Sequence, residues 1–127
     1  MNGIKIEISG ENKNNNDFHE FLRETINPRF EKTEGNLHVF MGQNYSFGTD
    51  SDLAIAVFLK FEELNYTLEI ISSGGGDGVF GFTGGNEKRG INSIKNKIEK
   101  FCNEKNFEFY CTEIEKKKKK NNENKNN

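Results

Sequence analysis

The strongest constraint on the fold is a two-residue alternation of apolar and polar side chains that recurs along the chain. GIKIEIS sets Ile4, Ile6 and Ile8 between polar residues, and YTLEIIS at 66–72 and NFEFYCTEI at 106–114 have the same character. Successive side chains of a strand point to opposite faces of its sheet, so each segment predicts a strand with one buried face. The chain is therefore expected to form a sheet that packs on a core.

A hairpin is predicted in the segment between positions 29 and 41. RFEKT and LHVFM flank Glu34-Gly35-Asn36, a short connection of the kind that joins antiparallel strands. The second strand would place Leu37, Val39 and Met41 on one face and His38 with Phe40 on the other. NYSF, at 44–47, is a candidate for one further short strand.

The stretch LAIAVFLKF, at 53–61, has two interpretations. Ser51 and Asp52 could cap a helix, and the apolar residues at 53, 57, 61 and 64 keep helical spacing. The residues at 53, 55, 57, 59 and 61 also alternate, and many of them are β-branched or aromatic. We favour a strand paired with YTLEIIS through the turn EELN, because period-two alternation of such residues fits a pleated sheet.

Two segments predict amphipathic helices. In DFHEFLRETINP, Asp17 and Glu20 form a capping box, the apolar residues at 18, 21, 22 and 26 share one face, and Asn27-Pro28 ends the helix. In NEKRGINSIKNKIEKFCN, Asn86 is the candidate N-cap and Ile91, Ile94, Ile98 and Phe101 form a narrow stripe. Single apolar stripes are typical of helices that cover one face of a sheet.

These elements follow one another as β-α-β-β-(β)-β-β-α-β, where the bracketed strand is NYSF. We therefore predict an α+β two-layer sandwich with a mainly antiparallel sheet of five to seven strands and two helices on one face. The 127 residues suffice for one domain, which we assign to residues 1–115. Residues 116–127, KKKKKNNENKNN, are expected to form a disordered Lys/Asn-rich tail.

The charge distribution disfavours specific nucleic-acid binding. The tail has six lysines and one glutamate, a charge of +5, and since the whole chain has −2, residues 1–115 have −7. An acidic body repels a phosphate backbone, and the tail has no aromatic residue for stacking on bases. The N-terminus has no apolar run typical of a signal peptide and no segment is long enough to span a membrane, so we expect a cytoplasmic protein with free thiols.

A glycine-rich loop is the most conspicuous motif, in SSGGGDGVFGFTGGNEK at 72–88. Gly76, Gly78 and Gly81 match the dinucleotide-binding pattern G-x-G-x-x-G after a predicted strand. The third glycine should lie inside the helix, but FTGG separates Gly81 from the helix start. The candidate ribose-binding acids, Glu113 and Glu115, also lie more than thirty residues beyond the loop. We therefore predict no nucleotide cofactor.

Two weaker hypotheses for the loop remain open. Gly76, Gly78, Gly84, Gly85 and Asn86 lead into a helix start with Lys88 and Arg89, where backbone N–H groups and two cations could hold a small anion. Alternatively, Val79, Phe80 and Phe82 could be exposed anchors for a protein partner. A plain connection is the third interpretation of this segment.

Residues suited to catalysis or metal binding are few and poorly spaced. His19 lies beside Phe18, off the apolar stripe, and is expected to face solvent, whereas His38 should lie on the sheet face of Phe40. Cys102 is expected to be a small buried apolar residue, and no histidine or cysteine pair has zinc-ligand spacing, so we predict no metal site. Asp50 and Asp52 are more typical of turn and cap residues than of a catalytic pair.

The sequence thus favours a non-catalytic binding module that recognises a protein partner or a small anionic ligand at residues 74–89. The alternatives are a small enzyme using Asp50, Asp52, Asp77 or His38, and a nucleic-acid accessory protein acting through its basic tail. An exposed edge strand could also lead to homo-oligomers.

Overall fold

The computed structural model describes residues 2–10, 15–44, 53–63, 65–74 and 84–114. Six strands and two helices occur in this part of the chain. In chain order they are β1 (Asn2–Ser9), α1 (Asn15–Ile26), β2 (Phe30–Glu34), β3 (Leu37–Asn44), β4 (Leu53–Glu62), β5 (Asn65–Gly74), α2 (Gly84–Lys105) and β6 (Glu108–Glu113). The ambiguous segment 53–61 is therefore a strand, as its alternation predicts.

The strands form one antiparallel sheet in the order β2-β3-β4-β5-β1-β6. Strands β2 to β5 are consecutive neighbours, and β1 pairs with β5 on one side and with β6 on the other. The edges of the sheet are therefore β2 and β6. All pairings are antiparallel, which confirms the predicted sheet type.

Both helices pack on one face of the sheet, which confirms the α+β two-layer sandwich. Helix α1 contacts β3, and α2 contacts β5, β1, β6 and β4. The alternating residues that face the helices join the helical stripes in one buried cluster, which includes Ile6, Val57, Leu68, Leu22 and Ile94. The stripe predicted for α2 is buried at Ile91, Ile94 and Ile98, and Cys102 is fully buried as expected.

An aromatic cluster joins the two helices to the sheet. The Phe18 ring on α1 lies 4.8 Å from the Tyr66 ring on β5 and 5.7 Å from the Phe101 ring on α2, measured between centroids. Phe21 stacks on Phe101 at 4.4 Å. Phe18 has no exposed surface, so it occupies the point where all three elements meet.

Turn and cap residues fix the connections at both ends of β2. Asn27 ends α1 in a left-handed conformation with φ of 52°, and its N–H donates to the carbonyl oxygen of Arg23 at 2.7 Å. Such a conformation after the last helical turn is tolerated by Asn, and Pro28 then prevents the helix from continuing. Gly35 has φ of 60° in the β2–β3 turn, a value that glycine reaches without steric cost.

Some local predictions are wrong at the helix starts. Helix α1 begins at Asn15, so Asp17 lies in its first turn and is not the N-cap. Its negative charge there interacts favourably with the helix dipole. Helix α2 begins at Gly84, so Asn86 lies inside its first turn and not at the N-cap. Tyr45–Phe47 of the predicted short strand NYSF and the tail at 116–127 lie outside the described residues.

Candidate functional site

The face of the sheet opposite the helices, which we call the open face, has a row of apolar residues that crosses five strands and ends at Ile114, just after β6. Cross-strand pairing places Phe30 beside Met41, Met41 beside Ala56, Ala56 beside Ile71, and Ile71 beside Gly3. Ile114 continues the row after β6, where its N–H donates to the Gly3 carbonyl oxygen at 2.9 Å. We call this set the apolar row; its members are Phe30, Met41, Ala56, Ile71, Gly3 and Ile114.

The apolar row is most exposed at the β2–β3 edge of the sheet. Phe30 has 72% of its surface exposed and Met41 has 49%. Beside them lies an open depression of about 370 Å³ with a mainly apolar lining, which includes Ala54, Ala56 and Ile71. In the part of the chain that the structure describes, the exposed large apolar residues are Phe30, Leu37, Met41 and Tyr110, all on this open face.

At the opposite edge the row is closed by a contact between Ile114 and Gly3. A β-carbon at Gly3 would lie 3.2 Å from Cδ1 of Ile114, closer than ordinary van der Waals contact. Gly3 therefore leaves the space in which Ile114 lies over the open face. The row thus has large side chains at both ends, Phe30 and Ile114, and includes the smaller residues Ala56 and Gly3 between them.

Two neighbouring rows on the open face carry charges of both signs. One contains Lys32, Val39, Phe58, Glu69, Lys5 and Thr112; the next contains Glu34, Leu37, Lys60, Thr67, Glu7 and Tyr110. We call them the mixed rows. Their three lysines and three glutamates cancel, so these rows have no net charge although residues 1–115 together are acidic.

A polar cluster lies where α1 meets β2 and β3, on the helix side of the sheet. Glu31 accepts hydrogen bonds from Nε of Arg23 at 2.9 and 3.0 Å and lies 2.9 Å from Nε2 of His38. The Arg23 guanidinium bonded to it is the main reason why the pKa of Glu31 lies below its ordinary value. Because an ionised carboxylate only accepts, Nε2 of His38 carries the proton.

The remaining ring nitrogen of His38 is also satisfied. Nδ1 lies 3.0 Å from Oγ1 of Thr33, the residue directly opposite on β2. In the neutral imidazole this nitrogen accepts, so the Thr33 hydroxyl donates. The His38 side chain is only 7% exposed and stacks on Phe40 at 4.5 Å, as expected from its place in the alternation. The cluster is therefore a closed network that fixes α1 on the sheet edge.

His19 differs from its prediction, since it is half-buried and does not simply face solvent. Its ring lies 4.9 Å from the His38 ring and 5.2 Å from the Phe61 ring. Nε2 of His19 is buried and has no hydrogen-bond partner among the described residues. Burial, and then the neighbouring His38 and Arg23, lower the pKa of His19 below 6.5, while Glu31 and Glu20 act in the opposite direction.

We expect this environment to make stability depend on pH below 6.5, the ordinary pKa of histidine. The unfolded chain takes up a proton at His19 below pH 6.5, whereas the folded chain resists it, so stability falls as the pH falls below this value. Glu31 has a lowered pKa, so the stability that its ionised form contributes is lost only when the pH falls below 4.5. Urea unfolding as a function of pH should show a flatter profile for His19→Phe than for the original chain. An unchanged profile would contradict the assignment to His19.

The cysteines and histidines do not assemble a metal site in the described residues. The two histidines are neighbours, but no group of three or more potential metal ligands occurs in these parts of the chain. Burial is the main cause that raises the pKa of Cys102 to about 12, and it also raises that of Cys111. Both thiols therefore stay protonated near neutral pH, a state that is poorly nucleophilic.

The glycine-rich loop is largely outside the described residues. The segment 75–83 is outside the described residues, and it contains Gly76, Asp77, Gly78, Val79, Phe80 and Phe82. The segment 45–52, with Asp50 and Asp52, is also outside them. Gly84, Gly85, Asn86, Lys88 and Arg89 form the start of α2. The anion site at these residues and the partner contact at the loop thus stay predictions, which amide NMR titration with phosphate would test.

The apolar row was missed by sequence reasoning because each alternating strand was assigned one apolar face. The available signal was the density of apolar residues in LHVFM and LAIAVFLKF, where both alternating sets are largely apolar. In an antiparallel sheet with one solvated face, polar residues are expected on that face. The excess of apolar residues gives both faces of these two strands apolar character.

Comparison with known proteins gives no assignment: no family model matches the chain, and neither a curated protein nor a solved structure shows significant similarity to it. In the described segments, neither helix has the length and apolar character to cross a bilayer.

Proposed function

We propose that this protein is a non-catalytic binding module whose partner is a protein that packs on the open face of the sheet. The observation that carries the proposal is the exposure of Phe30 and Met41 beside the apolar depression. Exposed apolar patches on soluble proteins commonly mark interaction sites. The partner that fits has an apolar strip of its own, flanked by charges of both signs that match the mixed rows.

The chemistry of the described residues supports binding over catalysis. His38, Glu31 and Arg23 are engaged with one another, and both cysteine thiols have raised pKa values. The groups best suited to proton transfer or nucleophilic attack therefore stabilise the fold or lie protonated in it. The open face, by contrast, combines the exposed apolar row with lysines and glutamates spread along the mixed rows.

Nucleic acid fits this face less well than protein does. Phe30, Phe58 and Tyr110 could stack on bases, but they lie on β2, β4 and β6, in three different rows. The mixed rows have no net positive charge, and the acidic body repels phosphates. Since phosphate neutralisation supplies most of the affinity for single strands, an apolar protein surface is the better partner.

The proposal is tested by photo-cross-linking from the apolar row in cells. Replacing Phe30 by p-benzoylphenylalanine should give one discrete adduct whose peptide map places the cross-link on the open face. The additional substitution Met41→Lys should remove the adduct. The same photoreactive residue at Asn103, exposed on α2, is the control and should give none. Absence of an adduct at Phe30, or an identical adduct from Asn103, would overturn the proposal.

A further inference from the structure

We propose that the protein on the open face is a second copy of this chain, so that two sheets pack face to face in a two-fold symmetric dimer. This inference rests on the proposed function and specifies its partner. Two antiparallel sheets stack about 10 Å apart with their strands within about 30° of each other, and their inner faces then form a shared core. The helices of each copy would remain on the outside.

The charges of the open face are suited to a partner with the same surface. In a two-fold dimer one patch meets its own copy, so a patch of a single sign would repel itself. The mixed rows combine Lys5, Lys32 and Lys60 with Glu7, Glu34 and Glu69. The mixed rows therefore have no net charge and do not repel their own copy, whereas residues 1–115 as a whole have a charge of −7.

The shape of the apolar row also favours a copy related by a two-fold axis parallel to the strands. The strand order places such an axis between β4 and β5, so that β3 of one copy faces β1 of its partner. Met41 then lies over the partner's Gly3, and Ile71 over the partner's Ala56. Phe30 meets the partner's Ile114 at the rim. Ile71 thus faces the smaller Ala56 beside the axis, while Met41 packs next to Ile114, which lies over Gly3.

The available area is sufficient for a stable dimer. Six strands spaced about 4.8 Å apart, and three rows spaced about 6.7 Å apart, give a face of roughly 600 Å². Two such faces bury roughly 1,200 Å² in total, at the lower limit of specific interfaces.

Pairing through an edge strand is the competing arrangement, and the sequence disfavours it at β6. Five consecutive lysines, Lys116–Lys120, follow this strand closely, and lysine next to an edge is a common protection against edge pairing. At β2 all five residues are exposed, and three of them, Glu31, Lys32 and Glu34, are charged. The face therefore offers more apolar surface than either edge.

Sedimentation velocity of the full chain, from low micromolar to near-millimolar concentration, tests the inference. The original chain should reach twice its 14.6 kDa, and Phe30→Lys and Met41→Lys should each weaken the dimer by about tenfold or more. Asn103→Lys adds the same charge at an exposed helical position and should dimerise normally. Because Phe30 and Met41 are exposed in the single chain, both variants should retain the original circular dichroism spectrum and, at concentrations where the original chain is monomeric, its unfolding midpoint.

Two results would overturn the second copy as partner. One is a monomer at every concentration; the other is a dimer that persists in both lysine variants, which would indicate an edge contact. The photo-cross-link at Phe30 distinguishes this failure from failure of the proposed function. An adduct of twice the chain mass supports both proposals, an adduct with a different protein overturns only the second copy, and no adduct overturns both.

Discussion

Replacing Phe18 by alanine is expected to lower the free energy of unfolding by about 3–5 kcal/mol. The side chain is completely buried, and its ring contacts Tyr66 on the sheet and Phe101 on α2. Its removal would leave a cavity at the point where the two helices and the sheet meet. Part of the loss would come from the aromatic contacts themselves, which contribute beyond the buried area.

Urea unfolding of the dilute chain measures this effect, with Phe30→Ala as the matched control. The chemical change is the same, but Phe30 is 72% exposed in the single chain, so its truncation should cost about 0.5 kcal/mol or less. A similar loss for the two variants would contradict the central position of Phe18.

The second large effect is expected for Glu31→Ala, which should lower the free energy of unfolding by about 1–3 kcal/mol. This carboxylate accepts hydrogen bonds from Nε of Arg23 and lies 2.9 Å from Nε2 of His38. The His38 side chain is only 7% exposed. Without the carboxylate, a buried donor of His38 has no partner, and leaving such a group unsatisfied costs more than the hydrogen bond alone contributes. Arg23 would keep its hydrogen bond to Glu20, at 2.6 Å between Nη1 and Oε1.

Glu24→Ala provides the control for this experiment, because Glu24 is an exposed glutamate on α1, the helix that carries Arg23. Thermal or urea unfolding at neutral pH should show a change within about 0.5 kcal/mol for it. Equal destabilisation by the two substitutions would show that the network at Glu31 is no more than a set of surface ion pairs, which contribute little.

The fold could be predicted because its information is local. Alternation in GIKIEIS, YTLEIIS and NFEFYCTEI, and the stripe of Ile91, Ile94 and Ile98, appear within single elements and follow from strand and helix geometry. The same principle decided between strand and helix for 53–61. Helix starts were less predictable, because Asp17 and Asn86 are acceptable cap residues at positions where the helix has already begun.

The candidate site could not be predicted because it depends on strand order and register. Phe30 and Ile114 are far apart in sequence, and the apolar row exists only because β1 lies between β5 and β6. Likewise, the Thr33–His38 contact requires the register of the β2–β3 hairpin, and the contact with His19 requires α1 to lie over it. Spacing along the chain has no direct signature of these contacts between elements.

Oxidation of Met41 by hydrogen peroxide is the most direct test that the open face is covered by a second copy. The rate would be followed by peptide mapping, which separates Met41 from Met1, in dilute and concentrated solutions of the full chain. We expect Met41 to oxidise rapidly when dilute and several-fold more slowly when concentrated, and Phe30→Lys to remove this protection. An equal rate of Met41 oxidation at every concentration would contradict the face-to-face dimer, because the apolar row would then stay open to solvent.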